Sequence, residues 1–98
     1  MVNVQDGFEK FLEGKKYTRG AIRSRLSRAN TAEELIAVDL DMAVADDEKM
    51  YKALLRLRDH DNNGNLQNAV RLYYEYRNGR KFPRLADYER MTRGKIST

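Results

Sequence analysis

Apolar residues in this chain recur every three or four positions, and no segment alternates apolar and polar residues over the length of a strand. The pattern predicts helices throughout. Val4, Phe8, Phe11 and Leu12 share one face of a first helix, which Gly14 is placed to end as a C-terminal glycine. Thr18 can cap a second helix running to about Ala29, with Ile22, Leu26 and Ala29 on its apolar stripe. Thr31-Ala-Glu-Glu34 has the spacing of a capping box and predicts a separate short helix starting at Thr31. The stretch from Leu40 to Val44 reads equally as a helical turn or as an extended connector.

Asp46 or Asp47 then caps a helix carrying Met50, Tyr51, Leu54, Leu55 and Leu57, whose early acids and late Arg56 and Arg58 suit the helix dipole. After the polar run Asp59 to Asn65 comes the most apolar helix, from Leu66 to about Arg77. Leu66, Ala69, Val70, Tyr73 and Tyr76 form its stripe, with Leu72 and Tyr74 flanking. A stripe that broad suits a central helix touching several others. Asn78-Gly79 closes it, and Phe82-Pro83 turns the chain into a last helix from Leu85 to Met91, anchored by Leu85, Tyr88 and Met91. The expected fold is all-α, a compact bundle of five or six short helices. Residues 1–91 make a single helical domain and 92–98 a frayed C-terminal tail.

Composition narrows the function classes. Ninety-eight residues suffice for one domain, and the 41% hydrophobic content is globular rather than disordered. The absence of cysteine removes disulfides, thiolate metal sites and thiol catalysis, and a single histidine, His60, leaves a zinc site short of ligands. Neither a membrane-spanning run nor a secretory leader is visible, so a cytoplasmic protein without membrane contact is expected. Charge changes the picture more. The net charge is +4 over residues 1–30, −6 over 31–50, +2 over 51–78 and +4 over 79–98. Two basic blocks around an acidic centre create strong local fields, which attract polyanions or complementary protein surfaces.

The second helix concentrates that charge. Arg19 and Arg23 follow one flank of its apolar stripe and Arg25 and Arg28 the other, with Ser24 and Ser27 between them on the outer face. Guanidinium forks take phosphate oxygens at two points, and the small hydroxyls let a backbone approach closely. The bland alternative is a solvated face, or one neutralised by the acidic 33–48 segment. A second basic block holds Arg77, Arg80, Lys81 and Arg84. Tyr74 and Phe82 there could stack on bases, although structural roles suit both better.

Asp59, Asp61, Asn63 and Gly64 reproduce positions 1, 3, 5 and 6 of an EF-hand calcium loop, but Val70 stands where the bidentate glutamate belongs. The preferred reading is a structural turn that caps the next helix, with no metal and no cofactor. Ser24 and Ser27 lack a base, and no glycine-rich phosphate loop is present. The carboxylates Asp39, Asp41, Asp46, Asp47 and Glu48 suit a solvated helix start as well as a magnesium site. No catalysis is expected.

The runs Ser24-Arg-Leu-Ser-Arg-Ala-Asn30, Ala32-Glu-Glu-Leu35, Asp39-Leu-Asp41, Met50-Tyr-Lys-Ala-Leu54 and Asn65-Leu-Gln-Asn-Ala-Val-Arg-Leu-Tyr-Tyr-Glu-Tyr76 together resemble small helical N-terminal modules of bacterial and phage DNA-processing proteins, including restriction-associated proteins and tyrosine recombinases. The resemblance spans about two-thirds of the chain and carries no catalytic signature. It implies an accessory module that clamps nucleic acid, DNA rather than RNA, with Arg23, Arg25 and Arg28 on its basic helix. The alternative is a protein-interaction module, a phage- or plasmid-encoded modulator of a host nucleic-acid machine, docking through the acidic 33–48 segment.

Overall fold

The computed structural model describes residues 7–61 and 63–96, with side chains described through Thr92 except at residue 62. Val4 therefore lies outside the described residues. Six helices occupy them, α1 (Gly7–Gly14), α2 (Arg19–Ile36), α3 (Leu40–Val44), α4 (Asp47–Arg58), α5 (Asn65–Asn78) and α6 (Leu85–Ile96), with no strand among the described residues. The fold is an all-α bundle.

The broad apolar face of α5 explains the arrangement. Ala69, Val70, Leu72, Tyr73 and Tyr74 are buried on it, and α1, α2, α3 and α4 all pack against this one helix. Phe8 and Leu12 of α1 are fully buried, with the Phe8 ring edge-on to Tyr73 at 5.2 Å. Met50, Leu54 and Leu57 of α4 close the core from the other side. Burying a residue of this size contributes about 1.5–3 kcal/mol. Phe82, beyond Gly79, packs edge-on against Tyr74 at 5.1 Å and also meets Tyr88 of α6 at 5.2 Å. Both Tyr74 and Phe82 are core residues, so neither offers a free face for stacking.

Local chemistry sets several boundaries where expected. The Thr18 hydroxyl accepts the Ala21 amide at 3.2 Å at the start of α2. Asp46 accepts from Glu48 and Lys49 at the start of α4. The Asp61 carboxylate accepts the amides of Leu66 and Gln67 at 2.7 and 2.9 Å, while Gly64 supplies φ +72°. Asp61 and Gly64 thus cap α5. Gly79 ends α5 in the left-handed region, as anticipated.

Two boundaries differ, one helix end is capped by another residue than expected, and one open reading is settled. The α2 helix does not stop near Ala29 but continues to Ile36, so Thr31 starts no helix. Ala32 and Ile36 extend the stripe of Ile22 and Ala29 with unbroken helical spacing, and the Thr31 hydroxyl turns back to donate to the Ser27 carbonyl at 3.1 Å. Burial of two more apolar residues outweighs one cap. The left-handed residue after α1 is Lys16, at φ 67°, rather than Gly14, which remains helical. Leu40–Val44 resolves as a helix, capped by Asp39 through the Asp41 amide. Finally, α6 continues past Met91 to Ile96, so residues 92–96 are helical, and Met91 is 57% exposed and anchors nothing. Leu85 and Tyr88 do the anchoring.

Candidate nucleic-acid interface

All four arginines of the first basic block stand within the first ten residues of α2. Arg19 and Arg23 are exposed, and Arg28 is half-buried. None of these three makes an ion pair or hydrogen bond through its side chain among the described residues. Arg25 is different. Its guanidinium lies over the Tyr17 ring at 4.2 Å and donates to the Ala21 carbonyl at 3.2 Å, which fixes the fork against the α1–α2 turn. Ser24 is half-buried and Ser27 exposed between the two arginine flanks.

The charge order on α2 opposes its own dipole. No acid occupies the first turn and no base the last, while Arg19 opens the helix and Glu33 and Glu34 lie near its end. Cations at a helix N-terminus cost several tenths of a kcal/mol each. The helix tolerates this because its stripe is buried against α5.

Half of the second block is folded onto the acidic centre. Arg77 meets Asp41 at 3.4 Å, and Arg80 meets Asp47 at 3.5 Å while covering the Tyr74 ring at 5.3 Å. The same two carboxylates accept the hydroxyls of Tyr73 (onto Asp41) and Tyr74 (onto Asp47, 2.6 Å). Burial first, and then the neighbouring carboxylates, push both tyrosines up, Tyr74 to about 12. Burial likewise raises Tyr88. Lys81 and Arg84 are exposed and make no ion pair among the described residues.

The acidic segment is correspondingly occupied. Besides Asp41 and Asp47, Asp39 and Asp46 cap helices, Glu48 pairs with Lys52 at 3.4 Å, and the buried Glu33 accepts the Leu40 amide at 3.0 Å. Six of its seven carboxylates thus make contacts within the fold, and Glu34 is exposed.

A cleft of about 250 Å³ joins residues that the linear pattern leaves apart. Lys15 and Tyr17 from the α1–α2 turn, Arg71 from α5 and Lys81 from the α5–α6 turn all line it. Lys15 is held by Glu75 at 2.9 Å, and Arg71 donates to the carbonyls of Phe82 and Pro83 at 3.0 and 3.1 Å. Burial pulls the Arg71 guanidinium below its ordinary value, yet an arginine stays charged at neutral pH. Lys81 thereby comes beside the turn that supports Arg25, whereas Arg80 is directed to Asp47 instead. Tyr17 and Arg71 were not singled out from sequence. The available signal for Arg71 was an arginine between Val70 and Leu72, two core positions of the most apolar helix. No family model matches the chain, and no curated protein or solved structure matches it either.

Proposed function

We propose that this domain is a non-catalytic nucleic-acid-binding module, for DNA rather than RNA, that grips phosphates through the first ten residues of α2. The supporting observation is the contrast in partners: Arg19, Arg23 and Arg28 make no ion pair among the described residues, while Arg77 and Arg80 are engaged within the fold. In this reading Arg23 and Arg28 reach phosphates from the two flanks, Ser24 and Ser27 donate between them, and Arg25 is held ready on Tyr17. Lys81 and Arg84 add charge from the neighbouring turn. The role fits an accessory clamp of the kind found in helical modules of DNA-processing proteins. Contacts of this type position a duplex without reading its sequence.

Fluorescence anisotropy with labelled duplex DNA, single-stranded DNA and RNA, repeated across salt concentrations, tests the proposal. The expected result is a log affinity that falls linearly with log salt, with a slope of about 0.9 per phosphate contacted on duplex DNA. Absence of binding at low salt would refute it.

A further inference from the structure

Three large apolar side chains are conspicuously exposed among the described residues, and two of them, Val38 (41%) and Met42 (56%), flank the same groove. It holds about 330 Å³ and lies between α3 and α4, at the end of α2 opposite its arginines. Ile36, Ala43 and Ala53 line its apolar interior. Two of these are alanines, whose short side chains leave room for a bulky anchor from outside. Lys49, Lys52 and Arg56 add a row of positive charge, and no carboxylate lines the groove. Their spacing of three and four residues sets them along one side of α4, next to Ala53. Lys52 also pairs with Glu48 at 3.4 Å, but both side chains are 71% exposed, and such a pair contributes little and exchanges readily.

We infer that this groove docks an acidic amphipathic helix from a partner protein. An apolar trough accepts anchor side chains recurring at helical spacing, and exposed methionine adapts its shape to the anchor. The cationic row selects the rest of the partner's sequence, because acidic residues beside the anchors would meet Lys49, Lys52 and Arg56. Nucleic acid fits less well here, since Val38 and Met42 offer phosphates nothing. The site does not depend on the reading of α2, and the two surfaces lie at opposite ends of that helix. Val38 and Met42 belong to the same 33–48 segment as the acidic carboxylates, of which Glu33, Asp41 and Asp47 are engaged within the fold.

The test uses the full chain and a labelled synthetic peptide of 14 residues, helical in design, with leucines at i, i+3, i+4 and i+7 and glutamates on its remaining exposed positions. A peptide of the same composition in scrambled order and one with every glutamate replaced by lysine serve as controls. Binding in the micromolar range is expected for the acidic helix, with both controls at least tenfold weaker. Amide shifts in nitrogen-15 spectra should cluster at Val38, Met42 and Ala53. Met42→Glu should weaken the peptide at least tenfold without changing the melting temperature, since that side chain is exposed. Lys52→Glu with Arg56→Glu should weaken it comparably, and more so at low salt. Four results would overturn the inference: no binding, equal binding of either control, shifts confined to other surfaces, or an unaffected Met42→Glu. Sedimentation showing self-association that Met42→Glu abolishes would also overturn it, by assigning the groove to a second copy. So would duplex DNA producing the same shifts at Val38 and Met42.

Discussion

The arginines of the two basic blocks meet different surroundings. Arg19, Arg23 and Arg28 extend from a helix whose acids lie near its far end, whereas Arg77 and Arg80 reach Asp41 and Asp47, the carboxylates that also hold the hydroxyls of Tyr73 and Tyr74. Arg19, Arg23 and Arg28 therefore make no ion pair among the described residues, whereas Arg77 and Arg80 are paired with α3 and α4, and only Lys81 and Arg84 of the second block share the exposure of the first. A count of positive charge treats the two alike. What separates them is where the nearest carboxylate lies after folding.

The largest effect should come from reversing the free block. Arg23→Glu with Arg28→Glu is expected to weaken duplex binding at least 100-fold at low salt, about 3 kcal/mol, measured by anisotropy. The melting temperature should stay nearly constant, because both side chains lie off the buried stripe. Asp47→Ala attacks the opposite side of the comparison. It removes the acceptor of the buried Tyr74 hydroxyl as well as the partner of Arg80, so thermal unfolding should show a loss of about 2 kcal/mol. Duplex affinity should not fall, since Arg80 is released rather than removed.

Alkaline titration gives a third contrast. Tyr73, Tyr74 and Tyr88 keep their protons beyond the ordinary tyrosine range in the folded protein, but not in the unfolded chain. The extra stability is fully present below pH 10 and is lost as the pH rises from about 10 toward 12 and beyond, because the unfolded chain then binds fewer protons. Absorbance at 295 nm should show Tyr73, Tyr74 and Tyr88 ionising above the ordinary tyrosine range. A smaller effect is expected from Arg80→Ala. Its ion pair is half-exposed, so stability should change by less than about 1 kcal/mol and the salt slope of binding by no more than about one contact. Smallest of all, Arg19→Glu should raise stability by about 0.5 kcal/mol, as it places an acid in the first turn of α2, while it lowers affinity. Opposite signs in those two readings would be a direct mark of a residue retained at a cost to its own helix.

Much of the architecture was readable from sequence because its determinants are local. Asp46 caps α4 two and three residues away, Gly79 takes the left-handed turn after α5, and the apolar breadth of α5 announced a central helix. The failures were tertiary. Thr31 offered a capping pattern that burial of Ala32 and Ile36 overrode, and the neighbouring carboxylate of Glu33 accepts the amide of Leu40, seven residues on. The arginine flanks of α2 followed from helical geometry alone. That Asp47 would meet Tyr74, 27 residues away, could not be read from spacing. Nor could the meeting of Lys15, Arg71 and Lys81 in one cleft, which depends on how α5 presents its two neighbouring turns.

The central claim is the difference in availability between the two blocks. Its most direct test compares duplex affinity, across a salt series, for the wild-type chain, for Arg23→Glu with Arg28→Glu, and for Arg77→Ala with Arg80→Ala. The account predicts that the α2 variant loses nearly all binding, while the second variant keeps an affinity within about threefold of wild type, under 1 kcal/mol. Equal losses from both variants, or retained binding by the α2 variant, would contradict it.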